Sequence, residues 1–218
     1  MKFKIVSLFV LCAILISCGT SRQGGKKQRK GTKAQVVLTP EQQRKYDYFF
    51  LEASRLKMKD DYSAAFDLLQ HCLTINPNAS SALYEISQYY MYLKQVPQGQ
   101  AALEKAVEND PDNYWYSQGL ASLYQQQNEM QKATNLLESM ATRFSDRMDP
   151  LYSLLDIYNR LEEYDNVITT LNRLEEKMGK NEQLSMEKFR IYLQKKDNQS
   201  AFREIESLVA VSYTHLRA

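Results

Sequence analysis

Cysteine is scarce in this sequence. Only three occur among 218 residues, and two of them, Cys12 and Cys18, lie in or directly after an apolar segment at the N-terminus. Cys72 is alone in the rest of the chain, so no internal disulfide can form there. The fold must therefore be stabilised by packing alone, and no pair of thiols has the spacing of a metal site.

Side chains and loops that serve catalysis are equally few. The chain has two histidines, His71 and His215, and seven glycines. His71 has no neighbouring histidine or cysteine with which it could form a nucleophile pair or hold a metal. No glycine-rich loop that could cradle a phosphate stands out. We therefore expect no enzyme activity, no catalytic residue, no metal and no cofactor.

Acidic residues are missing from residues 19–40, which hold six lysines and arginines. Residues 41–210 hold 19 basic and 26 acidic residues, a net charge of −7. A nucleic-acid-binding body needs a basic face, so we expect no nucleic-acid partner. The basic segment either contacts anionic lipid headgroups or is simply a flexible spacer.

The first 17 residues have the features of an export signal. Lys2 and Lys4 precede an apolar run over residues 5–16, which is shorter than the ~20 residues that a membrane-spanning helix needs. At the end of this run, the segment Leu15-Ile16-Ser17-Cys18 resembles the lipobox of bacterial lipoproteins. This resemblance implies a signal peptide at 1–17, a lipid on Cys18 and a basic flexible tether over 18–40.

The residues after the lipidated position bear on location. Gly19 is not the acidic residue that retains lipoproteins at the inner membrane. The tether also lacks the acidic run that resembles a surface-export signal in Bacteroidetes lipoproteins. For a Bacteroidetes-like lipoprotein, both features favour the periplasmic face of the outer membrane as the site of anchoring in the cell envelope.

Residues 211–218, Val-Ser-Tyr-Thr-His-Leu-Arg-Ala, differ in character from everything before them. They resemble the translation of a transposase-based sequencing adapter. We therefore interpret residues 211–218 as an adapter artefact and expect the native chain to continue beyond Ala210. Without a helix after the fifth unit, we expect an exposed apolar end.

A period of 34 residues runs through residues 41–210. One series contains mostly small residues: Ala65, Gly99, Ala133, Val167 and Ala201. A second series is aliphatic: Leu69, Leu103, Leu137, Leu171 and Ile205. A third series begins with a leucine and is aromatic afterwards: Leu56, Tyr90, Tyr124, Tyr158 and Tyr192. Apolar residues recur at helical spacing in both halves of each period, which predicts two amphipathic helices per unit.

The period and residue pattern resemble the tetratricopeptide repeat, most clearly in residues 61–77 and 101–111. This implies an all-α solenoid of about five helix-turn-helix repeats, at about residues 46–79, 80–113, 114–147, 148–181 and 182–210. Thr39-Pro40-Glu41-Gln42 predicts a capped first helix, and Asp149-Pro150 predicts a similar start in the fourth unit. Gly179 is placed to end the second helix of that unit.

The resemblance also assigns residues to packing and to binding. Small residues at the helix crossings let the two helices of a repeat approach closely: Ala53, Ala65, Gly99, Ala121, Ala133 and Ala201. Positions that line the concave groove in this family carry mostly aromatic residues here: Phe50, Tyr84, Met91, Tyr92, Trp115 and Tyr152. Their polar neighbours include Lys57, Gln88, Gln118, Ser122, Gln125, Asp156 and Arg190. The groove residues either bind a peptide or simply pack or lie on the surface.

These features together predict a lipid-anchored, non-catalytic scaffold for protein–protein interaction at the cell envelope. Its partners would be an unidentified protein or peptide and, through the anchor, the membrane. Two alternatives stay open: a module that captures a glycan or other substrate, and an outer-membrane assembly factor, each working beside an outer-membrane complex.

Overall fold

The structure, a computed structural model, describes residues 37–217 and the side chains of residues 37–210. Outside these described residues lie the predicted signal peptide, at residues 1–17, and residues 18–36 of the predicted tether, which include Cys18. Across residues 37–217 all regular structure is helical, in ten helices: α1 (Pro40–Lys57), α2 (Tyr62–Ile75), α3 (Ser80–Tyr92), α4 (Val96–Asn109), α5 (Tyr114–Gln126), α6 (Met130–Arg143), α7 (Asp149–Arg160), α8 (Tyr164–Met178), α9 (Glu182–Gln194) and α10 (Asn198–Arg217).

The ten helices form five consecutive hairpins, so the prediction of an all-α array of five helix-turn-helix repeats is confirmed. Each helix packs against its neighbours in sequence, as expected for a solenoid whose core is built between adjacent units. Within residues 37–217, no helix combines the length and the hydrophobicity needed to cross a membrane. Helix α10 extends through residues 211–217, and the interpretation of that segment as adapter-encoded stays a prediction.

Capping residues set the helix ends where the local sequence predicts them. The Thr39 hydroxyl accepts a hydrogen bond from the Gln42 N–H at 3.2 Å, and the Gln42 side chain accepts one from the Thr39 N–H at 2.9 Å. Gly179 ends α8 with a φ of +79°, as predicted. The start of α7 differs, because Met148 is the N-cap and its side chain makes no capping hydrogen bond, while Asp149 is already helical.

The same turn joins the two helices in each of the five hairpins, and the sequence pattern does not predict it. A residue in the left-handed region, with φ between 56° and 62°, follows each first helix: Asp60, Lys94, Asn128, Glu162 and Lys196. The next N–H donates to a carbonyl oxygen five residues earlier at 2.8–3.0 Å, as in a Schellman motif. Such a conformation costs an L-residue about 1–2 kcal/mol, so helix packing, rather than local preference, imposes this turn.

The small residues of the 34-residue series lie at the centre of the hairpins. Ala65, Ala133 and Val167 are 0% exposed, and Gly99 and Ala201 are buried as well. Ala53 and Ala121 are also buried in their first helices. Gly99 is the most crowded of these positions, since a Cβ there would lie 2.7 Å from the Met91 sulfur and 3.1 Å from the Ser87 carbonyl oxygen. The Met91 side chain thus occupies the space that an alanine would take.

Two apolar clusters form the core. The first joins α1 to α4 around Leu69 and Ile86, and the second extends from Leu103 in α4 to Ile191 in α9. Tyr84 packs against both clusters and connects them. Phe202 and Val209 of α10 are 66% and 48% exposed, so the expected apolar surface on the fifth hairpin is found.

Tyrosine hydroxyls add polar links between successive hairpins. The Tyr124 hydroxyl of α5 donates to Glu104 of α4 at 2.9 Å, and the Tyr158 hydroxyl of α7 donates to Glu138 of α6 at 3.3 Å. Burial and the neighbouring carboxylate raise the pKa of Tyr124, so its hydroxyl stays a donor at neutral pH. The aromatic series therefore both packs and sets the register of adjacent hairpins.

Replacing Ala133 by Trp tests the crossing assignment. Because Ala133 is fully buried between α5 and α6, we expect a loss of at least about 3 kcal/mol in the free energy of unfolding. Ala101→Trp is the matched control, since Ala101 is exposed on the second helix of its hairpin, and it should change stability by less than about 0.5 kcal/mol. Urea denaturation followed by circular dichroism measures both, and equal midpoints would contradict the assignment.

Candidate functional site

The six predicted groove residues divide into two groups by exposure. Tyr92, Trp115 and Tyr152 are 81%, 62% and 47% exposed. Phe50, Tyr84 and Met91 are half-buried. The structure therefore leaves only the first group available in full to a partner.

Each of the half-buried residues already has a packing partner. The Phe50 ring stacks on Tyr46 with centroids 5.9 Å apart, and the Tyr84 ring lies 4.8 Å from that of Tyr116. Met91 fills the space beside Gly99. For these three residues, existing contacts account for much of the side chain: within α1 for Phe50, and between helices for Tyr84 and Met91.

One exposed tyrosine belongs to an open cleft between the first and second hairpins. The cleft has a volume of about 450 Å³ and is lined by Lys57, Tyr62, Gln88, Tyr89 and Tyr92. Lys57 lies at the end of α1, Tyr62 begins α2, and the other three lie in the last two turns of α3. We call this site the tyrosine cleft.

The walls of the tyrosine cleft are fixed by aromatic packing. Tyr89 is 8% exposed and lies 5.9 Å from Phe66 and 6.4 Å from Tyr62, measured between ring centroids. Burial raises the pKa of Tyr89. Tyr92 stands at the open side. The cleft thus has one rigid aromatic wall and one freely exposed ring.

Polar contacts hold the edge of the cleft. The Tyr62 hydroxyl donates to the Asp60 carboxylate at 2.8 Å, and this hydrogen bond raises the pKa of Tyr62. The Lys57 ammonium lies 2.7 Å from the Glu85 carboxylate, which raises the pKa of Lys57. With raised pKa values, the Tyr62 hydroxyl stays neutral and the Lys57 ammonium stays charged at neutral pH, so the cleft offers apolar walls with hydrogen-bonding groups at the edge. It offers no activated base or nucleophile.

A second exposed aromatic surface lies in the third and fourth hairpins. The Arg147 guanidinium stands 4.0 Å from the Tyr114 ring centre and 5.5 Å from that of Trp115. Its other partner is Asp149, at 3.6 Å. Tyr152 donates its hydroxyl to the Met178 sulfur at 3.3 Å. Trp115 and Tyr152 are therefore not among the residues that line the tyrosine cleft, and the predicted groove set as a whole stays a prediction.

The residues that might have carried chemistry are placed without catalytic partners. His71 is exposed beside the Phe49 ring, with centroids 5.6 Å apart. Cys72 is fully buried, and burial raises the pKa of its thiol to about 11. Among the described residues, no three His, Cys, Asp or Glu side chains come together in a way that could hold a metal ion.

Sequence reasoning found three of the five residues that line the cleft. Tyr92 was assigned to the groove, and Lys57 and Gln88 were named as its neighbours. Tyr62 and Tyr89 were missed. The available signal was the spacing of Tyr89 and Tyr92, three residues apart, which places them on one side of α3.

Comparison with known proteins agrees with the fold. Residues 80–113, the second of the five predicted units, match the tetratricopeptide repeat family. No curated protein matches the sequence significantly. None of these results indicates a catalytic family.

Several solved structures are similar. MamA residues 41–end from Desulfovibrio magneticus RS-1 is 13% identical, with a TM-score of 0.53 and coverage of 78% of this chain and 96% of that chain. A tetratricopeptide repeat protein from Parabacteroides merdae ATCC 43184 is 15% identical, with a TM-score of 0.57 and coverage of 78% and 67%. YrrB, described as a TPR protein with an unusual peptide-binding site, is 12% identical, with a TM-score of 0.54 and coverage of 77% and 87%. At these identities the likeness shows a common fold.

The buried thiol gives a test of the first hairpin. In a chain with Cys12 and Cys18 replaced by Ser, Cys72 is the remaining cysteine. At about pH 8 its raised pKa and its burial should make labelling by a thiol reagent at least about 100-fold slower than in urea. The measurement is the rate of absorbance change with an aromatic disulfide reagent. Equal rates with and without urea would mean that Cys72 is not packed between α1 and α2.

Proposed function

We propose that this chain is a lipid-anchored scaffold of tetratricopeptide type that binds a protein partner through a peptide segment seated in the tyrosine cleft, and that it catalyses no reaction itself. Proteins with this repeat typically mediate protein interactions. The observation that supports the site is the tyrosine cleft, where three tyrosines surround about 450 Å³ of open space.

The chemistry of the cleft suits a peptide. Tyrosine supplies large contact area at a small cost in side-chain entropy, and its hydroxyl can hydrogen-bond to a peptide backbone. Tyr89 is held by Phe66 and Tyr62 before any ligand arrives, so little ordering is needed on binding. YrrB, with a similar fold, carries a peptide-binding site according to its description, which supports the same class of ligand here.

The anchor places this surface near a membrane. From Cys18 to the start of α1 at Pro40 the tether contains 22 peptide units. A chain of this length has a fully extended reach of at most about 75 Å. Lipid on Cys18 would thus hold the array within reach of partners at the periplasmic face of the outer membrane, which is the location that we propose.

Substitutions in the cleft test the binding site. A phage library of random dodecapeptides is selected against the intact chain, and the affinity of the enriched peptides is measured by fluorescence polarisation. We expect Tyr92→Ala and Tyr62→Ala each to weaken binding by about tenfold or more, because central aromatic anchors contribute about 2 kcal/mol. Both residues are exposed, so neither change should alter the fold.

Tyr48→Ala is the matched control. Tyr48 is 64% exposed on α1 and is not among the cleft residues, so its loss should leave peptide affinity unchanged. The proposal is wrong if selection yields no peptide, or if the selected peptides bind the Tyr92→Ala and Tyr62→Ala variants as tightly as the unchanged chain.

The lipid anchor has an independent test. Cys18→Ala removes the thiol that would carry the lipid, so the protein should move from the membrane pellet to the soluble fraction when cells are fractionated. Cys72→Ala is the control, because a buried thiol in α2 has no part in anchoring. Retention of the Cys18→Ala protein in the pellet would refute the lipobox interpretation without bearing on the tyrosine cleft.

A further inference from the structure

The junction of the fourth and fifth hairpins contains charged residues at positions that are apolar in most of the other repeats, although Glu52 stands at the position of Lys188 in the first repeat and Thr170 at the position of Glu204 in the fourth. Lys188 of α9 is 2% exposed and stands 34, 68 and 102 residues after Leu154, Leu120 and Ile86, all of which are buried. By the same period, Glu175 of α8 follows Leu73, Val107 and Ala141, and Glu204 of α10 follows Leu68, Ala102, Leu136 and Thr170.

These charges pair with one another and with Lys180 in the α8–α9 loop. The Lys188 ammonium lies 2.8 Å from Glu175 and 3.1 Å from Glu204, and the Asn172 oxygen accepts a further hydrogen bond at 3.4 Å. The Lys180 ammonium lies 2.7 Å from Glu204 and 3.3 Å from Glu175. Two ammonium and two carboxylate groups thus alternate around a closed, neutral ring, which we call the ionic cluster.

The apolar core, by contrast, ends before α10. Leu184 and Ile191 connect α9 to the second apolar cluster, but no residue of α10 up to position 210 belongs to either cluster. Ala201 is the one residue of α10 over that range that is buried, while Ile205 and Leu208 are half-buried. The attachment of α10 to the array therefore depends heavily on Glu204 and its two lysines.

We propose that α10 is a pH-dependent element of the fold, which is held against α9 by the ionic cluster at neutral pH and opens in acid while α1 to α9 stay folded. Glu204 is the group that controls the opening. Lys188 of α9 and Lys180 of the α8–α9 loop face it directly, and Glu175 of α8 faces the same two lysines.

Protonation of Glu204 removes the one carboxylate that α10 contributes to the cluster. Lys180 and Lys188 are then left with Glu175 as their only anionic partner in the cluster. The ionic cluster as a whole then carries a net positive charge in a largely buried place. Removing the charge of one partner in a buried ion pair is strongly destabilising, because the charge of the other partner is then uncompensated. Since α10 contributes little apolar burial, it is the element whose opening relieves this charge at least cost.

The direction of the pH dependence follows from the two shifted groups. Burial would raise the pKa of Glu204, but its hydrogen bonds with Lys180 and Lys188 outweigh burial, and the pKa is lowered. Its contribution to stability is therefore complete above the ordinary glutamate pKa of about 4.3 and is lost as the pH falls through the lowered value. Burial alone would lower the pKa of Lys180, but Glu204 and Glu175 raise it, so the lysine contribution is lost only at strongly alkaline pH.

Amide hydrogen exchange on the intact chain tests the proposal, with rates corrected for the intrinsic effect of pH. Protection of the amides of residues 199–210 should stay level from about pH 7 to about pH 5 and should fall by about threefold or more between about pH 5 and about pH 3, while protection in α5 to α8 changes by less than about twofold. At about pH 7, raising NaCl to about 1 M should leave α10 protected, because buried pairs are only weakly screened.

Three variants separate the ionic cluster from other causes. Glu204→Gln should remove protection from α10 already at neutral pH. The double variant Lys188→Met with Glu204→Leu replaces charge with apolar side chains and should keep α10 protected over the same pH range. Glu206→Gln is the matched control, since Glu206 is exposed on the same helix and its loss should change nothing.

The proposal fails on any of several results. These are retention of α10 protection in the unchanged chain at acid pH, loss of protection in α5 to α8 together with α10, release of α10 by salt at neutral pH, or neutral-pH exchange in Glu204→Gln that equals that of the unchanged chain. The acid profile of the unchanged chain decides the question even if the double variant does not fold.

Discussion

The close approach of two helices at each small crossing residue is the constraint on which the array depends. Ala65, Ala133 and Val167 have no exposed surface, and Gly99 leaves room for the Met91 side chain. Two helices that cross this closely must be joined by a short, tight turn, which explains the same left-handed residue in all five hairpins. The 34-residue period in the sequence thus reflects one packing geometry that is repeated in each hairpin.

Local physical signals explain why so much of the fold could be predicted. Helical spacing of apolar residues, a capping box at Thr39 and a glycine at position 179 each act within one or two turns of chain, so they can be recognised without knowledge of tertiary contacts. The left-handed turns could not be predicted this way, because Lys94, Glu162 and Lys196 have no local preference for that conformation. The start of α7 was misplaced by one residue, since Met148, which makes no side-chain cap, is the N-cap in place of Asp149.

The candidate site was harder to predict because it forms between hairpins. Tyr92 occupies a family groove position and was found, whereas Tyr62 begins a second helix and enters the tyrosine cleft only through the way that α2 meets α3. Position alone also does not show which of the predicted groove residues are already packed against other side chains. Tyr84 packs against Tyr116, and Met91 packs against Gly99. These contacts depend on which residue lies opposite in the neighbouring helix, and the repeat pattern does not specify that residue.

The junctions between hairpins use different chemistry along the array. Apolar burial with a hydrogen bond between Tyr46 and Ser81 joins the first two hairpins, tyrosine–glutamate bonds reinforce the middle, and the ionic cluster holds the end. In a solenoid, each junction contributes to stability almost independently of distant ones. The tyrosine cleft lies at the first junction and the ionic cluster at the last, with the large second apolar cluster between them. A change at α10 can therefore alter the end of the array without disturbing the cleft, so binding and conformational change are assigned to separate parts of one fold.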